Sequence, residues 1–152
     1  MGGYGNTSDA FHQTASSPEG RGSYHAMKHA LDMAGIGPEE ISYINLHGTG
    51  TVNNDASEGA AIRRLFGERP PALSSTKAFT GHALGACGGI EAVYSLMAIQ
   101  NQCVFSNLGF ETPIPEVELV AETSFRNSDI AHVMSNSFGF GGNCSSIIFS
   151  KA

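Results

Sequence analysis

Three residues with chemically active side chains lie in two short segments that contain glycine. His47 opens the segment HGTGT, residues 47–51, and Lys77 and His82 lie five positions apart in STKAFTGHALGA, residues 75–86. A neutral imidazole donates a hydrogen bond from one ring nitrogen, and glycine allows the backbone to bend where other residues would obstruct it. Two such histidines could hold one carbonyl oxygen, with the lysine ammonium favouring negative charge beside it.

This set of side chains suits a reaction in which negative charge grows on a thioester oxygen, because preorganised donors stabilise an oxyanion far better than water does. We expect His82 to begin a helix, whose dipole would disfavour protonation of its imidazole. Plainer interpretations stay open. His47 would then be a hydrogen-bonded histidine in a strand-to-helix turn. Lys77 would be a strand-end ammonium, with Asp55 or Glu58 as its partner.

A third segment, NSFGFGGN, residues 136–143, places two aromatic side chains among glycines. The glycines could turn the backbone amide of Phe140 toward a ligand while its ring forms a movable apolar wall. The alternative is a hairpin turn with aromatic packing, and this segment taken alone favours that alternative.

The spacing of apolar residues predicts three helices. The first ends at Gly35, and the second begins with a capping residue among positions 53–55 and stops at Gly67. The third covers residues 80–102, where one apolar face is predicted to contain Ile90, Val93, Tyr94, Met97 and Ala98.

Short apolar runs predict the strands between these helices. Residues 41–48 and 71–77 form two such runs, each ending near a chemically active residue, and residues 131–138 and 144–151 form a closing hairpin around GFGGN. Strands that alternate with helices indicate an α/β layered domain with a mixed sheet. Ligands of such sheets gather at the carboxyl ends of strands, where all three motifs are predicted to lie.

Composition excludes several classes of protein. The 152 residues fit one domain, and a net charge of −6 without clustered Lys or Arg argues against a nucleic-acid surface. No apolar run is long enough for a membrane span and no secretory segment is evident, so we expect a cytoplasmic protein. His25 and His29 lie four apart on a predicted helix, but no third ligand is evident and no metal site is predicted.

The segments YINLHGTGT, SSTKAFTGHALGACGGIEA and NSFGFGGN, in this order and at these intervals, resemble the C-terminal half of the β-ketoacyl-acyl carrier protein synthases. These are the condensing enzymes of fatty acid and polyketide synthesis, with the thiolase fold. The opening SDAFHQTASSPEGRG also resembles the start of that half. The resemblance implies one C-terminal synthase domain over residues 1–152, with a layered α-β-α fold around a five-stranded mixed sheet.

The resemblance also implies catalytic roles for three residues. His47 and His82 match the paired histidines that hydrogen bond the malonyl thioester carbonyl and support decarboxylation, while Lys77 matches the active-site lysine. The resulting carbanion attacks an acyl group on a cysteine. Supporting carboxylates of a charge network are implied at Asp55, Glu58 and Glu91.

Substrate contacts are implied at four further residues. Thr49 and Thr51 match threonines of the phosphopantetheine channel, and Phe140, with Phe138 beside it, matches the gate residue. No bound cofactor is expected, since the substrate arrives on the phosphopantetheine of acyl carrier protein. That carrier protein and the N-terminal half of the enzyme are the implied partners, and the full-length protein is expected to be a homodimer.

One departure from the family decides what the chain could do alone. The nucleophilic cysteine of the family belongs to the N-terminal half, and nothing here matches that half. Cys87, Cys103 and Cys144 have no CxxC spacing and are expected to be reduced, with Cys144 as nucleophile an unfavoured alternative. We therefore expect the isolated chain to be inactive, with a non-catalytic, chain-length-factor-like or scaffolding relative as the other hypothesis.

Overall fold

The computed structural model describes residues 2–152, which contain seven strands and four helices. In chain order these elements are β1 (Gly3–Ser8), α1 (Arg21–Ala34), β2 (Tyr43–Asn45), α2 (Val52–Phe66), β3 (Ala72–Ser74), α3 (Lys77–Thr80), α4 (Cys87–Asn101), β4 (Cys103–Val104), β5 (Arg126–Asn127), β6 (His132–Phe138) and β7 (Asn143–Ser150). Short 3₁₀ turns occur at Pro38–Glu40, Leu84–Ala86 and Phe140–Gly142.

Five strands form the main sheet in the order β1-β7-β6-β2-β3. Strand β7 pairs antiparallel with both β1 and β6, whereas β2 pairs in parallel with both β6 and β3. The predicted five-stranded mixed sheet and its closing hairpin β6–β7 are therefore confirmed. Strands β4 and β5 form a separate two-stranded sheet that the sequence did not predict.

The helices cover both faces of the sheet. Ile44 packs in a core cluster with residues of α1 and α2, while its neighbour Tyr43 packs in a second cluster with Ala98 of α4. Because successive side chains of a strand point to opposite faces, α1 and α2 lie on one face and α4 lies on the other. This is the α-β-α layering that the resemblance implies.

Helix α4 differs from the prediction in its start and in its buried face. It begins at Cys87 rather than near residue 80, because Gly81 has a φ of 71° and ends α3. The side chains facing the protein are Glu91, Ser95 and Ala98, while Val93 and Met97 are exposed. Of the five residues predicted for the apolar face, Ala98 is buried and Ile90 and Tyr94 are partly buried, so the buried face overlaps the predicted one only in part. Within residues 2–152, no helix combines the length and apolar character needed to cross a membrane.

Helix α2 begins slightly earlier than predicted. Thr51 occupies the N-cap position, so residues 53–55 lie in the first turn instead of capping it. Asp55 is favourable there because a carboxylate complements the positive end of the helix dipole. Its Oδ1 also accepts a hydrogen bond from the backbone N–H of Gly50 at 3.2 Å, which steadies the loop that leads from β2 into the helix.

Strand β1 and helix α1 pack with their backbones in contact at Gly5. A β-carbon at this position would overlap the carbonyl oxygen of Ala26 and come within 2.8 Å of the backbone nitrogen of Ala30. Only glycine fits without displacing α1 from the sheet. Gly89, in α4, has nothing within 4 Å of an added β-carbon.

We therefore expect Gly5→Ala to lower the free energy of unfolding by about 1–3 kcal/mol, the usual effect of overpacking. Gly89→Ala, the matched control, should leave it unchanged or raise it by up to about 1 kcal/mol through helix propensity. Urea unfolding of both variants measures the difference. Equal midpoints for the two variants would show that β1 and α1 do not pack this closely.

Candidate active site

The loop after β2 carries His47 and is held by a buried carboxylate. Glu58 of α2 accepts hydrogen bonds from the backbone N–H groups of His47 at 3.0 Å and Gly48 at 2.9 Å, and from the side-chain amide of Asn136 at 3.1 Å. Burial raises the pKa of Glu58, and these donors act in the opposite direction. One carboxylate thus ties the histidine loop to both α2 and β6.

Lys77 forms a buried ion pair with Glu91, which reaches it from α4. Its ammonium also donates to the backbone carbonyl of His47 and lies 3.3 Å from Nδ1 of that ring. The plainer alternative, in which Lys77 pairs with Asp55 or Glu58, is not observed, and these two carboxylates instead accept hydrogen bonds from backbone N–H groups of the histidine loop. Burial raises the pKa of Glu91 and the ammonium opposes that rise.

The surroundings of His47 keep its imidazole neutral. Burial, followed by the charges of Lys77 and His82, lowers the pKa of His47 to about 3. An ammonium can only donate, so Nδ1 of His47 accepts and the ring proton sits on Nε2. The histidine is therefore a hydrogen-bond donor at neutral pH, not an acid.

His82 is held in the same tautomer by different means. It lies between α3 and the 3₁₀ turn, not at a helix start as predicted, so the expected helix-dipole effect does not apply. The backbone N–H of Leu84 donates to its Nδ1 at 3.1 Å, and Sγ of Cys87 lies 3.3 Å from the same nitrogen. In neutral His82 the proton is therefore on Nε2, which has no hydrogen-bond partner within residues 2–152.

The two imidazoles meet at the carboxyl edge of the parallel strands. Their ring centroids are 5.5 Å apart and the rings are nearly perpendicular, at 89°. Each ring has its Nδ1 occupied by a group of the protein and its Nε2–H left as a donor. Two such donors beside a buried ammonium can stabilise one oxygen on which negative charge develops.

The aromatic and hydroxyl residues lie around this pair at different distances. Phe138 is buried with its ring 6.1 Å from that of His47, whereas Phe140 is 77% exposed in the turn after β6. Thr49 and Thr51, in the loop after β2, are hydrogen bonded to each other through their hydroxyls at 2.9 Å, and Thr51 is exposed. The structure thus places Phe138, rather than Phe140, against the histidine.

Sequence reasoning missed three contacts of the site. The side-chain amide of Asn136 donates a hydrogen bond to Glu58, and the backbone N–H of Leu84 donates one to His82. Both donors lie in segments that the sequence analysis had selected for other residues. Cys87 was expected only to be a reduced thiol, yet its sulfur lies 3.3 Å from Nδ1 of His82. Only the proximity of Cys87 to His82 in the sequence could have indicated this contact.

The other candidate residues do not contact the two imidazoles, although Cys144 packs against Phe138. Cys103 and Cys144 are buried, and burial raises the pKa of both thiols, that of Cys144 to about 11. His25 and His29 are exposed on α1 with ring centroids 6.2 Å apart. In the part of the chain that the structure describes, no three His, Cys, Asp or Glu side chains assemble into a metal site.

The family model and the curated relatives that match this chain all belong to one family, the beta-ketoacyl synthases. Residues 1–111 match the model of the beta-ketoacyl synthase, C-terminal domain. The chain is 46% identical over 152 residues to 3-oxoacyl-[acyl-carrier-protein] synthase 2 of Staphylococcus aureus (strain COL), covering 98% of this chain and 37% of that protein. The synthase 2 of Synechocystis sp. is also 46% identical, over 154 residues, with 99% and 37% covered.

Solved structures agree with this family assignment. The ishigamide ketosynthase/chain length factor has a TM-score of 0.95 at 33% identity, covering 100% of this chain and 38% of that one. The type II polyketide ketosynthase AntDE, solved with its acyl-carrier protein AntF, has a TM-score of 0.95 at 31% identity, with 100% and 38% covered. The ketosynthase ApeO of Xenorhabdus doucetiae, in complex with its chain length factor, has a TM-score of 0.91 at 42% identity, with 100% and 39% covered. The chain spans less than two fifths of the length of these relatives.

We expect Lys77→Met to lower the free energy of unfolding by about 3–5 kcal/mol, because it leaves the buried Glu91 carboxylate without its partner. Lys28→Met is the matched control, since Lys28 and Asp32 form an exposed ion pair that contributes about 0–1 kcal/mol. Thermal and urea unfolding measure both variants. Equal losses in the two variants would contradict the burial of the Lys77–Glu91 pair.

The lowered pKa of His47 predicts a pH dependence of stability. Between pH 6.5, the ordinary value, and about 3, the unfolded state binds a proton that the folded state excludes, so stability falls as the pH falls. The contribution of this one group has a slope of at most about 1.4 kcal/mol per pH unit. His47→Asn should reduce the loss of stability between pH 6.5 and 4. An unchanged pH profile in this variant would show that His47 titrates normally.

Proposed function

Because the chain belongs to the β-ketoacyl synthase family, we propose that residues 1–152 form the C-terminal domain of a 3-oxoacyl-acyl carrier protein synthase. The proposed reaction is the decarboxylative Claisen condensation of an acyl-enzyme thioester with malonyl-acyl carrier protein. The observation that carries this proposal is the pair of perpendicular imidazoles, His47 and His82, 5.5 Å apart with both Nε2–H donors available.

In the first step the thioester carbonyl of the malonyl group accepts hydrogen bonds from Nε2–H of His47 and His82. The bond between C2 and the carboxylate breaks, CO₂ leaves, and the electron pair passes to C2 and the thioester oxygen as an enolate. Neutral donors suit this step, because the low pKa of His47 prevents it from protonating the enolate carbon and quenching it.

Lys77 is the proposed catalytic ammonium of this site. Its charge favours the enolate, and its contact with Nδ1 fixes the tautomer of His47. The three carboxylates of the network support these groups in different ways. Glu91 balances the ammonium, Glu58 holds the His47 loop, and Asp55 holds the turn at Gly50.

In the second step C2 attacks the carbonyl carbon of an acyl group carried on a cysteine, the new C–C bond forms, and the cysteine thiolate leaves. We propose that this cysteine belongs to the part of the relatives' length that the chain does not span. Cys103 and Cys144 are poor nucleophiles, since burial raises the pKa of both thiols, and Cys87 is only 5% exposed. The chain by itself is then inactive in condensation.

The exposed face of α4 supports an N-terminal half as partner. Val93, Leu96 and Met97 are exposed, together with Leu84 just before the helix. A helix that is apolar all round is normally buried on every side. We propose that the N-terminal half covers this face and that the full-length protein is a homodimer.

The second partner is acyl carrier protein, which delivers the malonyl group on its phosphopantetheine arm. The ketosynthase AntDE was solved with such a carrier protein. The hydroxyls of Thr49 and Thr51 offer hydrogen bonds to the amides of the arm, and Phe138 and Phe140 provide the apolar side. No bound cofactor is needed for this chemistry.

A non-catalytic, chain-length-factor-like role is the second candidate. Two of the structural relatives were solved together with chain length factors. A subunit without chemistry has no physical need to bury an ammonium beside two imidazoles, since burying charge lowers stability unless every partner is supplied. The retained site therefore favours catalysis.

The test is a fusion of the N-terminal part of the S. aureus synthase 2 to residue 1 of this chain. We expect the fusion to decarboxylate malonyl-acyl carrier protein and form the C–C bond, and His47→Ala or His82→Ala to slow decarboxylation about 10²–10³-fold, the effect of losing one oxyanion donor. His29→Ala, on the exposed face of α1, is the control and should retain full activity. Normal decarboxylation in both site variants would refute the roles of the histidines, and a folded but inert fusion would favour the non-catalytic role.

A further inference from the structure

His25 and His29 form an exposed pair of imidazoles on α1 that the reaction proposed above does not use. They lie four residues apart, so both side chains project from the same face of the helix. Their ring centroids are 6.2 Å apart and the rings are tilted by 41°. Within residues 2–152, neither ring forms a hydrogen bond or an ion pair, so their nitrogens are available to a ligand.

Two histidines at this spacing can hold one metal ion between them. In helices with the sequence pattern HExxH, histidines at positions i and i+4 bind a single zinc ion from one face. An imidazole nitrogen binds zinc at about 2.0–2.1 Å. Exposed rings with centroids 6.2 Å apart reach a common ion by turning about their side-chain bonds. No third His, Cys, Asp or Glu side chain joins the pair in the part of the chain that the structure describes, so water would fill the other positions of the ion.

The helix that carries the pair is fixed in place. The backbone of α1 lies against Gly5 of β1, where no β-carbon fits. Beside the pair, the guanidinium of Arg64 lies 3.9 Å from the ring centroid of Tyr24, and the Tyr24 ring packs edge-on against that of His25 at 5.2 Å. A rigid helix and a supported ring lower the cost of ordering the two ligands when an ion binds.

The charges around the pair do little to repel a cation. Lys28 lies beside His29 in the sequence, but its ammonium is paired with Asp32. Arg21, one turn before His25, opposes a metal ion only weakly, because both side chains are exposed to water. The pair therefore offers two nitrogen donors without a strong electrostatic penalty.

This donor set selects the class of ion. Mg²⁺ and Ca²⁺ prefer oxygen ligands, whereas imidazole suits copper, nickel and zinc. Among the divalent ions of the first transition row, Cu²⁺ binds a given nitrogen site most tightly. The pair is also accessible, because α1 lies on the opposite face of the sheet from α4, the helix that we propose the N-terminal half covers.

We propose that His25 and His29 chelate one divalent late transition metal ion, with Cu²⁺ bound most tightly and water completing its coordination. The site lies outside the condensing site and takes no part in condensation. The inference does not rest on the proposed function, and its failure would leave the roles of His47 and His82 untouched.

The test titrates Cu²⁺ into the 152-residue chain, followed by calorimetry and electron paramagnetic resonance. We expect one ion per chain with two nitrogen ligands, and no binding of Mg²⁺. His25→Ala and His29→Ala should each weaken Cu²⁺ binding at least about tenfold. The double variant should lose little more than either single variant, because a chelate is lost with its first ligand. His12→Ala, at an exposed histidine outside α1, is the control and should bind like the unaltered chain.

Paramagnetic broadening in ¹H–¹⁵N NMR spectra locates the ion. We expect the strongest broadening over residues 21–33, and dispersed spectra for all the alanine variants, since each replaces an exposed side chain. The proposal is overturned by full affinity in both single variants, by broadening centred on His47 and His82, or by two ions per chain of which each single variant loses one.

Discussion

The buried ion pair between Lys77 and Glu91 is the interaction on which the site depends. It joins the segment after β3 to α4, and the same ammonium contacts the ring and backbone of His47. Burying two charges is unfavourable unless their geometry and further hydrogen bonds compensate for the lost hydration. Here the compensation comes from the backbone carbonyl of His47 and from Ser137, whose hydroxyl lies 3.5 Å from Glu91. The consequence for chemistry is a histidine that is desolvated, neutral and held in one tautomer.

The fold brings these groups together from both helical layers. Glu58 approaches the His47 loop from α2 on one face of the sheet, and Glu91 approaches Lys77 from α4 on the other. Parallel pairing of β2 with β3 places the loops that carry His47 and Lys77 at the same edge, where ligands of such sheets bind. The aromatic turn after β6 reaches this edge because β6 is the other parallel neighbour of β2.

Local patterns predicted the strands β2, β3, β6 and β7 and the hairpin, and they predicted that His47, Lys77 and His82 lie at one edge of the sheet, because these depend on short-range alternation and on motifs within a few residues. The partner of Lys77 was not predictable in this way, since Glu91 competes with Asp55 and Glu58 and only the packing of α4 decides between them. The predicted start of α4 was wrong because four glycines between residues 81 and 89 weaken the helical pattern of the sequence. The prediction of its buried face was only partly right, because the sequence of a helix that is apolar on all sides does not indicate which side packs against the sheet.

The central claim is that His47 is a neutral donor whose proton lies on Nε2. The most direct test is a ¹⁵N NMR titration of the imidazole nitrogens in the folded protein. We expect the His47 ring to stay uncharged from pH 8 down to below 5, with a protonated Nε2 and an accepting Nδ1 throughout. An imidazolium signal that grows in near pH 6.5, or a proton on Nδ1, would contradict it.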